Sequence, residues 1–127
     1  MKTSFSRSWV SSSLPKKQHK YVAKAPLHVR HKMMAAHLSK DLRVKHKKRS
    51  FPVRKGDKVK IMIGKYRGVI GDIERVDTKN YKVYVKGAEL KKKEGTPPIA
   101  YPIHPSKLQI ITLNIDDKQR IKALERK

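Results

Sequence analysis

Apolar and polar residues alternate along several stretches of this chain. Val59, Ile61 and Ile63 are separated by Lys60 and Met62, and Val83 and Val85 by Tyr84. Ile99, Tyr101 and Ile103 repeat the pattern, and Leu108 to Leu113 is a further β-rich run. A period of two belongs to a strand with one face in a core and one in water. The prolines at 97, 98, 102 and 105 restrict their segment to edges and turns, because proline cannot donate to a ladder. Leu90 to Ile103 then reads as a long basic hairpin with Glu94-Gly95-Thr96 at its tip.

About five short strands fall within residues 51–113, with no crossover helices between them, which predicts a mainly β fold, a small SH3-like antiparallel barrel. The flanks have a different period. From Pro26, Val29, Met33 and Ala36 fall at helix spacing, and Ser39 is placed to cap a second short helix with Asp41 in its first turn. Residues 26–50 are therefore expected to be short helices and a basic linker. Asp116 and Asp117 open a C-terminal helix over residues 114–127, with Arg126 and Lys127 at its end. Residues 1–25 have too little apolar content for a core and read as a disordered, extended basic arm.

Gly64, Gly68 and Gly71 lie between the predicted strands. Glycine there marks a structural turn, a positive φ or the close approach of another backbone. The connection Gly64-Lys65-Tyr66-Arg67-Gly68 presents two cations and an aromatic ring on a tight loop. That combination suits phosphates and bases.

Charge sharpens the picture. The 127 residues include 33 Lys and Arg against 10 Asp and Glu, a formal net charge of +23. More than half of it lies in residues 1–50, whose only acidic residue is Asp41. Such an excess repels itself in a compact state unless a polyanion neutralises it, and nucleic acid is the default partner. With no cysteine, disulfides and thiolate metal sites are excluded. No stretch approaches the ~20 apolar residues of a spanning helix, so no membrane partner is expected. His28 and His31 share a helix face, but no further ligand lies near them in sequence, so no metal is expected. Asp57, Asp72, Glu74 and Asp77 are expected to pair with the interleaved Lys58, Lys60 and Arg75 rather than to form a catalytic site. No nucleophile–base pattern, P-loop or dinucleotide fingerprint occurs, so no catalytic residue and no cofactor is assigned.

The stretch from Gly56 to Val76 resembles the KOW motif of ribosomal proteins and transcription elongation factors. The pattern is filled at Gly56, Asp57, Val59, Ile61, Gly64, Tyr66, Arg67, Gly68, Gly71, Ile73 and Val76. The flanks narrow the choice. Ala25 to Met34, Leu38 to Arg43, Ile103 to Leu108 and Asp117 to Lys127 resemble the large-subunit ribosomal protein L twenty-four family in its archaeal and eukaryotic form (eukaryotic L twenty-six). That resemblance implies a cytoplasmic, ribosome-bound structural protein that contacts large-subunit rRNA and neighbouring ribosomal proteins. It further implies early assembly, a place near the polypeptide exit tunnel, and no homo-oligomer. The alternative is a KOW-containing elongation or antitermination factor. Such factors usually carry a second, acidic or mixed domain, whereas both flanks here are short and basic.

The expected RNA contacts follow the basic segments. On the arm they are Lys16, Lys17, Lys20 and Lys24, with Trp9 and Tyr21 able to stack on bases. Next come His28, Arg30, His31 and Lys32, then the run Lys45, Lys47, Lys48 and Arg49, then Arg54 and Lys55. The loop adds Lys65 and Arg67, with Tyr66 either stacking on a base or covering the barrel end. The turn His104-Pro105-Ser106-Lys107 adds His104, Ser106 and Lys107, or is a rigid turn and nothing more.

Overall fold

The computed structural model describes residues 5–7 and 12–126. In chain order the elements are α1 (Pro15–Lys24), α2 (Leu27–Met33), β1 (Ala35–Leu38), α3 (Lys40–His46), β2 (Ser50–Pro52), β3 (Lys58–Ile61), β4 (Ile70–Asp77), β5 (Lys82–Leu90) and β6 (Ile99–Ile103). A 3-10 turn (Pro105–Lys107), β7 (Leu108–Thr112) and α4 (Lys118–Glu125) complete the chain. The strands form one sheet in the order β2-β1-β7-β3-β4-β5-β6, of SH3-like barrel type. All its pairings are antiparallel except β1 with β7.

Alternation along the strands becomes burial. Val59 and Ile61 of β3, Val83 and Val85 of β5, and Leu108 and Ile110 of β7 point into one core with Ile73 and Ile103. Each such side chain contributes about 1.5–3 kcal/mol of hydrophobic stabilisation. Ile63 departs from the alternation. β3 ends at Ile61, so Ile63 sits in the loop and is 62% exposed.

Three expectations are corrected. Residues 15–24, read as part of an extended arm, form α1, a helix with Pro15 in its first turn and no buried residue. Proline at that position loses no helix hydrogen bond, and the residues after it are mostly good helix formers. Ala36, expected in a helix, lies in β1, where Ala36 and Leu38 are buried beside β7. A four-residue strand of two alanines, a histidine and a leucine has little strand propensity of its own. It forms because the distant β7 offers it a ladder.

The third correction concerns the acids. Asp57 pairs with Arg120 of α4 rather than with nearby lysines. Arg120 donates to both carboxylate oxygens at 2.6 Å. The Arg54 amide (2.8 Å) and the Asn114 amide (2.9 Å) complete the carboxylate's shell. Arg120 also donates to the carbonyls of Asn114 and Pro52, and its guanidinium lies 5.3 Å from the centre of the Phe51 ring. Asp77 in turn accepts from the amides of Lys79 and Asn80 and from the Asn80 side chain, which folds the β4–β5 turn.

The sheet bends where the β4–β5 ladder slips between Ile73 and Arg75 and the β5–β6 ladder between Tyr84 and Glu89. Gly71 sits at this bend. A Cβ there would lie 2.2 Å from the Lys86 carbonyl oxygen, so the close approach of β5 needs glycine.

Asp57→Asn preserves shape but leaves Arg120 buried without a countercharge. A loss on the order of 3–5 kcal/mol is expected in thermal or urea unfolding. A loss below about 1 kcal/mol would show that the pair contributes little.

Candidate nucleic-acid interface

The glycine-bounded loop is built from the backbone outward. Ile61 and Val69 close it (N···O 2.9 Å), and Gly68 donates back to the Ile61 carbonyl at 2.8 Å. Gly64 and Gly68 adopt φ of +109° and +91°, a region that costs other residues about 1–2 kcal/mol. Lys65 and Arg67 stand exposed on its outer side. Tyr66 turns inward: its hydroxyl donates to the Glu89 carbonyl at 2.6 Å and its ring lies 5.2 Å from that of Tyr101. The ring covers the barrel end and anchors the loop that carries the two cations.

The loop does not stand alone. The Met62 amide donates to the Lys107 carbonyl at 2.8 Å, which locks the loop against the His104–Lys107 turn. Two segments distant in sequence thus share one surface, with Lys65, Arg67, His104, Ser106 and Lys107 all exposed. Within the turn the Ser106 amide donates to Nδ1 of His104 (3.3 Å), and the Ser106 hydroxyl lies 2.8 Å from the same nitrogen. Although the residue is exposed overall, partial desolvation of its ring, followed by the nearby charges of Lys82 and Lys107, holds the His104 imidazole below its ordinary value of 6.5.

A second group of expected contacts converges on a groove of about 920 Å³. His31 and Lys32 of α2, Arg54 and Lys55 before β3, and Arg75 of β4 line it, together with Glu74, Leu27, Pro52, Val53, Val76 and Thr78. Arg54 is shared, because it donates to the Asp117 carboxylate at 2.6 Å, at the N-cap of α4. That bond first, and the Gln119 amide next, hold the Asp117 carboxyl below the usual carboxylate value.

Some expected contacts have structural work. Arg30 donates to the carbonyls of Ala23 (2.7 Å) and Ala25 (2.8 Å) at the end of α1, and to that of Lys79 (2.9 Å) in the β4–β5 turn. It lies 5.6 Å from the Tyr81 ring centre, and the Tyr81 hydroxyl donates to the Val22 carbonyl. Arg30 and Tyr81 therefore clamp α1 to the barrel. Lys48 donates to the Ala123 carbonyl of α4. Lys16, Lys17 and Lys24 are exposed on α1 and Lys20 is half-buried, while His28 is exposed on α2. Lys45 is exposed in the last turn of α3, and Lys47 takes a left-handed cap with φ +52° before the exposed Arg49. Trp9 lies outside the described residues. The Tyr21 ring lies tilted against that of Phe5, with ring centres 4.8 Å apart.

Arg75, expected only as a partner of nearby acids, and Arg120 are not marked by sequence as site or scaffold residues. Arg75 sits two positions after the buried Ile73, but the bulge between them breaks strict alternation. Arg120 carried no signal of its own, being one of 33 basic residues.

The described residues hold no cluster of three or more His, Cys, Asp or Glu side chains able to bind a metal, and no helix long and apolar enough to cross a membrane. Fold and surface together define the class: a small, strongly cationic SH3-like barrel with short helical extensions. Residues 12–127 match the family model of the eukaryotic ribosomal proteins L26 and their archaeal L twenty-four counterparts. The chain is 49% identical over 116 residues to the large ribosomal subunit protein uL24 of Methanosphaera stadtmanae, covering 91% of this chain and 98% of that protein. It is 48% identical over 118 residues to the uL24 of Korarchaeum cryptofilum, covering 93% of this chain and 89% of that one. The chain belongs to this ribosomal protein family and is a structural protein, not an enzyme.

The lowered basicity of His104 gives a pH test. Its neutral Nδ1 caps the turn, so this stabilisation is present above the unfolded value near 6.5 and is lost as pH falls through the lower folded value. An NMR titration of the free protein should show the His104 imidazole protonating below 6.5. Protonation at or above that value would contradict the capped, desolvated turn.

Proposed function

We propose that this protein binds large-subunit ribosomal RNA and helps to fold it during early subunit assembly, near the polypeptide exit tunnel and beside other ribosomal proteins. Family membership supports the ribosomal setting. One observation carries the RNA reading: the Met62–Lys107 bond joins two separate cationic segments into a single platform. Lys65, Arg67 and Lys107 on that platform take phosphates, and the basic faces of α1 and α2 and the run from Lys45 to Arg49 extend the contact. A rigid barrel that presents charge in fixed geometry reads backbone shape rather than base identity. Cations held close together repel one another in the free protein, and RNA phosphates relieve that repulsion. Arg30 and Tyr66 act one step back from the RNA, by holding α1 and the loop in place.

Two variants test this with a transcript of the large-subunit rRNA. Deleting residues 1–24 should leave the barrel folded, weaken binding and flatten its salt dependence by about 0.7–0.9 units for each phosphate no longer engaged. Lys65→Ala with Arg67→Ala should weaken binding about tenfold or more with an unchanged melting temperature. An unchanged salt slope in the deletion, or a fall in melting temperature that accounts for the weaker binding in the double variant, would refute the electrostatic reading.

A further inference from the structure

The groove between α2, the β2–β3 connection and β4 differs in kind from the loop platform. Its rim is cationic, with Lys32, Lys55 and Arg75, but its floor is apolar. Val53 is buried and Val76 half-buried there, and Leu27 stays 59% exposed at the edge. Phosphate binding alone gives no reason for an exposed leucine beside lysines. An A-form duplex offers phosphates and 2′-hydroxyls and gains nothing from such a floor, whereas an unpaired base has two apolar faces to cover.

Arg75 adds a platform. Its guanidinium lies 4.9 Å from the centre of the Tyr84 ring, and it lines the groove. A guanidinium plane held on a ring is a surface on which a base stacks. Glu74, an acid on a cationic rim, is out of place for phosphate but suits an exocyclic amino group or a 2′-hydroxyl, which donate to carboxylates. The volume of about 920 Å³ is within the ~300–1,000 Å³ of clefts that enclose small organic ligands.

We propose that this groove takes an unpaired nucleotide of the bound RNA, with its base over Leu27, Val76 and Arg75 and its phosphates on Lys32 and Lys55. The inference rests on the RNA-binding reading above and adds a preference that the loop platform lacks. Arg54 is not one of the phosphate ligands, because Asp117 already engages it. The groove thus distinguishes looped-out from paired RNA, while the platform tolerates both.

The test uses the full-length protein and the charge-neutral double variant Leu27→Ser with Arg75→Lys, which removes the apolar edge and the stacking plane but keeps every charge. Competition binding compares a single-stranded oligonucleotide of about eight nucleotides, carrying 4-thiouridine, with a duplex of the same length. The native protein should favour the single strand, and the variant should bind it about tenfold more weakly, as expected for removal of one stack, with duplex affinity unchanged. Photo-crosslinks should map to residues 27–32, 53–55 and 74–78. Equal weakening on both RNAs, or crosslinks confined to residues 62–69 and 104–107, would overturn the groove while leaving the platform intact. Absence of salt-dependent binding to either RNA would overturn the RNA reading itself, and the groove with it.

Discussion

The buried ion pair between Asp57 and Arg120 ties the C-terminal helix to the heart of the barrel. Asp57 stands at the entry to β3, Arg120 on α4, Asn114 just beyond β7, and Pro52 at the end of β2. Taking two charges out of water costs several kcal/mol per ion, which is recovered only when geometry and the remaining hydrogen bonds are good. Here the fork of Arg120 meets both carboxylate oxygens, and two backbone amides and two carbonyls take up other donors and acceptors. The eight-residue α4 is too short to stand alone and adds only Leu124 and Arg120 to the buried set. The ion pair therefore fixes the C-terminal helix, and through it the Arg54–Asp117 contact at the rim of the groove.

The same logic of scarce negative charge runs through the rest of the surface. With 10 acids against 33 cations, the protein uses its carboxylates where geometry matters most. Asp57 fixes α4, Asp77 folds the β4–β5 turn and Asp117 caps α4. Lysines stand exposed on α1, the loop and the β5–β6 hairpin, and the chain as a whole has a formal net charge of +23. The scaffold is stabilised internally, and its outer surface is strongly cationic. On the proposed reading, this division lets one small barrel be both a rigid body and a counterion to RNA.

The barrel was legible because its strands are amphipathic. Val59, Ile61, Val83, Val85 and Ile103 are buried as their alternation implies. Ser39 as the cap of α3 and a C-terminal helix opening at Asp116 and Asp117 were equally readable, since helix starts depend on local residue type, and Asp117 is the cap of α4. What escaped was non-local. β1 is strand only because β7 runs beside it, and Arg120 is special only because Asp57 is buried opposite. α1 escaped for a different reason, since a helix with no buried face leaves no core-facing pattern. At the candidate site, the sequence pointed to the loop and the turn separately. That they form one surface depends on the Met62–Lys107 bond, which no spacing rule foretells.

The central claim is that a pre-shaped cationic barrel works as part of the large ribosomal subunit. Sucrose-gradient fractionation of a lysate, following this protein across the fractions at low salt and after a moderate salt wash, tests it most directly. A near-stoichiometric peak with the large subunit that survives the wash is expected if the platform, the groove and the basic helices hold RNA together. A peak among the light fractions, or one that travels with RNA polymerase, would contradict it.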